Sequence, residues 1–272
     1  MTPLIDLDAY FARTGYAGPR AATLATLHGL VAAHAQTIPF ENLDVLLGRR
    51  INLDPAALQL KLIRDHRGGY CFEHNTLLLH VLEALGFQVA SISARVRLQH
   101  PRDFTPPRTH LFLRVELDGE SWLADVGIGA LSLTSAIRLH TEAEQSTPHE
   151  PRRIVREGAR WFHQARLGNE WTDVCEFTLE EMPAIDRELA NWFTSTHPQS
   201  HFRNRLVAAR AAPAGGRLTL VNHEFTIRHA DGRAEKHDIT TPDELLAILA
   251  DHFDLHFPSG TRFGAPGGAW PA

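Results

Sequence analysis

Apolar residues in the first third of the chain recur at helical spacing. Residues 23–35 place Leu24, Leu27, Leu30 and Val31 on one stripe, the three-and-four spacing of a helix with one buried face. Residues 5–14 form a shorter amphipathic segment that stops at Gly15, a residue suited to the left-handed end of a helix. Asp54-Pro55 supplies a capping side chain and a proline that fits the first turn, which predicts a helix over residues 56–64. Another helix is predicted over residues 71–85, closed by Gly86.

Beyond Gly86 the period changes from helical to alternating. Residues 89–96 and 110–117 read as strands, Asp118-Gly119 is a two-residue hairpin turn, and residues 121–126 return as the partner strand. Residues 161–167, the pair Gly168-Asn169 and residues 171–177 repeat that hairpin signature. The middle third is therefore expected to be an antiparallel barrel or curled sheet. A third region starts near Ile185, with a helix over residues 186–194 and strands over 218–221 and 224–229. Thr241-Pro242-Asp243-Glu244 is a capping box that opens a last helix through Ala250, and the Gly- and Pro-rich residues 258–272 read as irregular.

Composition narrows the function. A chain of 272 residues with 43% hydrophobic content can bury a substantial core. Its net charge of -5 and its scattered Lys and Arg residues argue against a nucleic-acid partner. An apolar run of about 18 residues, the signature of a membrane span, is missing, and residues 1–18 carry Asp6 and Asp8 where a signal peptide would be basic and then apolar. With Cys71 and Cys175 as its two cysteines, the chain is expected in a reducing cytoplasm, where a cysteine beside a histidine is a candidate nucleophile. The 17 histidines form no HExxH, and the cysteines no CxxC, so no metal is expected.

The strongest chemical signal is Arg67-Gly68-Gly69-Tyr70-Cys71-Phe72-Glu73-His74-Asn75. Two glycines let the backbone turn tightly and come close to another group, and the cysteine then falls at a predicted helix N-terminus. The partial positive charge there favours thiolate, and N–H groups of the first turn can hold a developing oxyanion. Cys175 lies in a predicted strand with no glycine turn before it and no base expected beside it, and reads as a small core residue.

The first hairpin supplies a base. With Asp118 and Gly119 as the turn, Leu117 opposes Glu120, Phe112 opposes Asp125 and His110 opposes Gly127. His110 and Asp125 then share a face as diagonal neighbours about 7–8 Å apart at their Cβ atoms, a gap an imidazole and a carboxylate can bridge. Leu111, Leu113, Val115, Leu117, Trp122, Ala124 and Val126 share the opposite face, which reads as core and leaves the His110 face for chemistry. Gly127 is expected to leave space beside His110. Cys71, His110 and Asp125 form a candidate catalytic set in which the carboxylate orients the imidazole. Glu41 and Arg67 are either a buried ion pair or two solvated charges.

These residues resemble the arylamine N-acetyltransferase family. The resemblance rests on Arg67-Gly68-Gly69-x-Cys71-x-Glu73-x-Asn75, on Ile38-Pro39-Phe40-Glu41-Asn42-Leu43, on Thr109-His110, on Asp125-Val126-Gly127 and on Ser195-Thr196-His197-Pro198-x-Ser200-x-Phe202. It implies an α+β fold with a triad arranged as in cysteine proteases. A helical bundle over residues 1–86 would bear Cys71, an antiparallel β-barrel over 87–184 would bear His110 and Asp125, and an α/β lid would span 185–272. Acetyl-CoA would acylate Cys71, CoA would leave, and an arylamine, arylhydrazine or N-hydroxyarylamine would take the acetyl group. Phe40 and Phe202 would line the acceptor pocket with Ile128, and Thr109, Gly127 and Gly129 would lie near CoA. Gly127-Ile128-Gly129 departs from the family's Gly-Phe-Gly, and an aliphatic side chain cannot stack on an aromatic acceptor as phenylalanine can. Two other readings keep the triad: a thioesterase or papain-like hydrolase with water as acceptor, and an amide synthase acting on a carrier-bound acyl chain. A non-catalytic binding module is the reading from a different class.

Overall fold

The computed structural model describes residues 5–264, so residues 265–272 of the expected irregular tail lie outside the described residues. Helix α1 (Leu7–Thr14) starts where the Asp6 carboxylate accepts the Ala9 N–H and ends at Gly15, whose φ is 68°. Helix α2 (Leu24–Thr37) is capped by the Thr23 hydroxyl, which accepts the Thr26 N–H. A short strand β1 (Phe40–Glu41) and a single turn α3 (Leu43–Leu46) follow. Asp54 caps α4 (Pro55–Leu58) as expected, but the chain continues over Gln59–Arg64 as a π-helix and not as one α-helix. Such wider turns are rare and mostly appear as single-turn bulges in α-helices. Here Leu62 and Ile63 are buried, and the Lys61 ammonium is tied to both Asp44 and Glu73. Helix α5 (Cys71–Ala84) carries eleven buried residues, from Cys71 to Leu82.

Strands β2 (Gln88–Val96), β3 (His110–Leu117), β4 (Glu120–Ala124), β5 (Ile137–Arg138), β6 (Arg152–Glu157), β7 (Arg160–Leu167) and β8 (Glu170–Glu181) form a seven-stranded antiparallel sheet. Its order is β5-β4-β3-β2-β8-β7-β6, and it curls into a nearly closed barrel. The β3–β4 turn is the expected one. Asp118 and Gly119 both have positive φ, 52° and 78°, and Leu117 opposes Glu120. The returning strand stops at Ala124, so Asp125 lies just past its end.

The Leu111 face of this hairpin is core, as expected, and the His110 face is buried too. Leu111, Leu113, Val115, Ala124 and Val126 are buried on one face, and Phe112 and Leu123 are buried on the other. A curled sheet has an inside, and the His110 face is that inside. Register places Ala94, Phe112, Phe177, Cys175, His163, Ile154 and Arg152 on the same side as His110.

The last third holds α6 (Ala184–Thr196), α7 (His201–Asn204), β9 (Val207–Ala211), β10 (Arg217–Val221), β11 (Glu224–Arg228), β12 (Ala234–Asp238) and α8 (Pro242–Phe253). A five-stranded antiparallel sheet runs β1-β9-β10-β11-β12, so the Phe40–Glu41 segment of the first third is its edge strand. Helix α8 opens with the Thr241 hydroxyl accepting the Glu244 N–H, and it packs on this sheet through Leu245, Leu249 and Phe253. Among the described residues, no helix is long and apolar enough to cross a membrane.

Candidate active site

Gly68 and Gly69 bring two distant segments together. Gly69 pairs with Phe40 as an isolated parallel bridge, and its carbonyl accepts the Glu41 N–H at 2.7 Å. A Cβ on Gly68 would lie 2.0 Å from the Pro39 carbonyl oxygen, and one on Gly69 would lie 2.6 Å from Glu73 Oε2. Neither glycine has a positive φ. The pair therefore serves the close approach that glycines permit, as expected from sequence, without a positive-φ turn.

Charges lock this junction. Arg67 Nη2 donates to Glu41 Oε1 at 2.6 Å and reaches Asp44, so Glu41 and Arg67 form the buried ion pair. Lys61 joins Asp44 at 2.8 Å to Glu73 at 2.6 Å. Glu73 in turn accepts the Tyr70 N–H at 3.0 Å, which fixes the first turn of α5. The result is a rigid seat for Cys71, the first residue of that helix, which is 3% exposed.

The Cys71 thiol donates to the Thr109 carbonyl at 3.5 Å, and Cys71 is among the groups that act on the His110 ring. On the other side of the ring, His110 Nε2 lies 2.7 Å from Asp125 Oδ2. This leaves Nδ1 as the nitrogen for the thiol. Burial opposes a charge on the ring, but Asp125 and Cys71 together outweigh it, so the imidazole pKa is pushed up to about 10. Burial likewise opposes charge on Asp125, yet His110, Asn75 and the Gly127 N–H together hold the carboxylate below its ordinary range.

Asn75, in the same motif as Cys71, joins the parts of the site. It lies one helical turn beyond Cys71 and so shares its face. Its Nδ2 donates to Asp125 Oδ1 at 2.9 Å and to the Leu111 carbonyl at 2.6 Å, while its Oδ1 accepts the Val126 N–H at 3.1 Å. It thereby sutures the helix carrying the thiol to the strand end carrying the carboxylate. Gly127 is needed here: a Cβ would lie 2.7 Å from Asn75 Nδ2 and 2.8 Å from Cys71 Cα.

Cys175 corrects another expectation. Its Sγ, a ring nitrogen of His110 and an oxygen of Asp125 all lie within 4.8 Å of one another, so a base does stand beside it. It is nonetheless buried inside the barrel, and burial pushes its thiol well above the ordinary range. A thiol held protonated is a poor nucleophile.

Phe40, Phe202 and Tyr70 cluster beside Cys71, with ring centroids 5.9 Å apart for Phe40–Phe202 and 5.5 Å apart for Tyr70–Phe202. Gly129 lies against the Phe40 ring, where a Cβ would be 3.4 Å away, and Ile128 is half-buried against the main core. A 450 Å³ cleft reaches Thr109 between Pro107, Met182, Ala190 and Phe193, and a 1150 Å³ groove runs between Ile51, Leu53 and Trp192. Neither is lined by Cys71, Phe40, Phe202 or Ile128.

A family model described as N-acetyltransferase matches residues 23–261. The chain is similar to the arylamine N-acetyltransferase of Escherichia coli (strain K12), at 42% identity over 94% of this chain and 90% of that one. The chain belongs to the arylamine N-acetyltransferase family. It is also similar to the arylamine N-acetyltransferase / N-hydroxyarylamine O-acetyltransferase of Salmonella typhimurium, at 42% identity over 92% of this chain and 88% of that protein. Among solved structures of arylamine N-acetyltransferases, that of Mycobacterium marinum in complex with CoA superposes with a TM-score of 0.88 at 38% identity, covering 92% of each chain. The segments that resemble the arylamine N-acetyltransferase family are scattered from Ile38 to Phe202 in sequence; in space Phe40 and Phe202 pack with Cys71, Thr109 accepts from its thiol, Gly127 abuts its main chain, Gly129 abuts Phe40, and Asp125 holds His110.

Proposed function

We propose that this chain takes the acetyl group of acetyl-CoA onto Cys71 and passes it to an arylamine, arylhydrazine or N-hydroxyarylamine. The observation that carries this reading is the buried imidazole of His110, held 2.7 Å from the Asp125 carboxylate and acted on by Cys71, which stands at the start of a helix. His110 holds the thiol proton, and the Cys71 thiolate attacks the thioester carbonyl. N–H groups of the first turn of α5 stabilise the oxyanion. The carbon–sulfur bond to CoA breaks, and His110 returns the proton to the departing sulfur. The acceptor nitrogen, or the oxygen of an N-hydroxyarylamine, then attacks the Cys71 thioester. His110 takes its proton, and the Cys71 thiolate is released for the next cycle.

In this reading Asp125 orients His110, and Phe40 and Phe202 line the acceptor pocket together with Ile128. Thr109, Gly127 and Gly129 border the CoA path. The CoA-bound neighbour supports the donor, and the names of the relatives support the acceptor class. Residues 1–86 act as the unit bearing the nucleophile, 87–184 as the unit bearing its base, and 185–272 as the lid.

Intact mass spectrometry tests the covalent step. Incubation with acetyl-CoA alone should add one acetyl group to the wild-type protein and none to Cys71→Ala, and an arylhydrazine should then remove it and yield the amide. Product without a mass increase would mean direct transfer and no thioester. Neither product nor adduct with a panel of aromatic amines would move the carrier-linked and hydrolytic readings ahead.

A further inference from the structure

The segment that follows Asp125 is the wall opposite the nucleophile. Gly127 abuts the main chain of Cys71, Gly129 abuts the Phe40 ring, and residues Gly129–Leu131 form a 3₁₀ turn. Such a turn leaves carbonyls without internal partners, and two arginines take them. Arg152 Nη2 donates to the Leu131 carbonyl and Arg217 Nη1 to the Ser132 carbonyl, each at 2.9 Å. Arg152 comes from the barrel and Arg217 from the five-stranded sheet. Glu150 joins them: its Oε2 accepts from Arg152 Nη2 at 2.9 Å and from Arg217 Nη2 at 2.6 Å, and its Oε1 accepts from Arg217 Nε at 3.1 Å. We propose that Glu150, Arg152 and Arg217 are positioning residues for acyl transfer, a clamp that fixes residues 127–132 against Cys71 and Phe40.

An ionic clamp inside a protein is an expensive way to hold a turn, since apolar packing of similar volume is often more stable. Arg152 is fully buried, its Nε has no hydrogen-bond partner among the described residues, and its Nη1 stands 3.4 Å from His163 Nε2. A guanidinium only donates, so that His163 nitrogen is the unprotonated one. Two arginines against one Glu150 leave a surplus positive charge in the interior, and Asp125 is the other carboxylate that acts on Arg152. What the arrangement gives is geometry. The bidentate Arg217–Glu150 pair is stiff, and each arginine gives one further hydrogen bond to one of two adjacent carbonyls of the turn. His149 reinforces the same seam, with Nδ1 2.9 Å from Thr134 Oγ1 and Nε2 facing the Ala212 and Gly216 carbonyls at 3.1 and 3.0 Å.

Variants at Arg217 test the clamp, because they leave the Glu150–Arg152 pair and the triad in place. Arg217→Met removes the charge and the fork, and Arg217→Lys keeps the charge but cannot hold Glu150 and Ser132 together. This activity readout rests on the acetyl-transfer reading above. Both variants should retain wild-type circular dichroism, and iodoacetamide should label Cys71 at an unchanged rate. The KM for an arylhydrazine should rise on the order of tenfold, with kcat moving less. A merely structural role would lower the active fraction and leave KM alone. Wild-type KM in a folded Arg217→Lys overturns the proposal, and this variant decides the matter if Arg217→Met does not fold. If the wild-type protein transfers no acetyl group, the functional reading fails and the clamp is judged separately by labelling Cys71. The ratio of N-phenylmaleimide to iodoacetamide rates should then rise in Arg217→Lys, because a loosened wall admits the bulkier reagent, and an unchanged ratio overturns the clamp.

Discussion

His110 donates from Nε2 to Asp125 Oδ2 across 2.7 Å, and the other oxygen of Asp125 is already committed to two donors, Asn75 Nδ2 and the Gly127 N–H. That commitment determines what Asp125→Asn would do. The amide oxygen must face Asn75 and Gly127, so the amide NH₂ faces His110. The ring then keeps its proton on Nδ1, toward Cys71, and cannot accept the thiol proton. Turnover should fall by about 10⁴, the cost of the equivalent tautomer error in the serine-protease template, with little loss of melting temperature. Steady-state rates and a thermal melt check this together. A variant within a few-fold of wild type would mean that Asp125 does not govern the ring.

Cys175 stands within 4.8 Å of the same pair but is held protonated by burial. Cys175→Ala should therefore leave kcat within a few-fold of wild type while lowering stability by about 1 kcal/mol through the small cavity it opens. Cys71→Ala should do the reverse, abolishing transfer with the fold intact. The acetyl adduct in intact mass spectra separates the two. An adduct that persists in Cys71→Ala and vanishes in Cys175→Ala would reverse the assignment.

The contrast between these cysteines shows what a sequence discloses. Asp118-Gly119 names its own turn type because both residues need positive φ, so the register that brings His110 to Asp125 was legible. Cys71 was legible for a different reason: Gly68-Gly69 before it mark a place where the chain passes close to another segment. Cys175 reached the same site through the closure of the barrel, which depends on strand order and leaves no mark in local pattern. Arg152 was unreadable because an arginine in a polar stretch looks like surface, and only the curl of the sheet buries it. Strand β12 was missed because all five of its residues are exposed and offer no alternation; it forms because β11 presents an edge to pair with. Asn75 could have been found, since four residues beyond Cys71 on a helix is the same face.

Gly127→Ala tests the suture at Asn75. The new methyl would lie 2.7 Å from Asn75 Nδ2 and 2.8 Å from Cys71 Cα, and the second of these is backbone that cannot swing away. The expected cost is about 1–3 kcal/mol of stability together with a loss of kcat larger than the loss of folded protein. Gly68→Ala should be worse, since its methyl would lie 2.0 Å from the Pro39 carbonyl oxygen and would part β1 from the Cys71 loop. Thermal melts of both variants check the order. Two melts equal to wild type would show that the backbones separate at no cost.

Acid stability should be set by buried histidines that stay neutral. The Pro39 carbonyl can only accept, so His74 Nε2, 3.1 Å away, carries that ring's proton and His74 Nδ1 is an acceptor. His34 Nε2, 2.8 Å from it, must therefore donate, which makes His34 Nδ1 the acceptor of the Tyr10 hydroxyl at 3.0 Å. The whole chain is satisfied only when both rings are neutral. Burial, the leading cause at each, lowers His74 to about 4, His163 to about 3 and His34 well below its ordinary value. Between roughly pH 6.5 and 4 the unfolded chain takes up protons that these folded rings refuse, so stability falls as pH falls through that window. His74 alone is worth about 3 kcal/mol there, at about 1.4 kcal/mol per pKa unit. His110 has the opposite sign. Its pKa is raised to about 10, so its contribution is complete below about 6.5 and fades only as pH climbs toward 10. The melting temperature should thus drop steeply on the acid side and only gently on the alkaline side. His74→Gln, which can still donate to Pro39 but no longer titrates, should flatten the acid limb. A melting temperature that is level from pH 7 to 4.5, or an acid limb unchanged by His74→Gln, would show that these rings accept protons inside the fold and that the neutral chain is not what sets the limit.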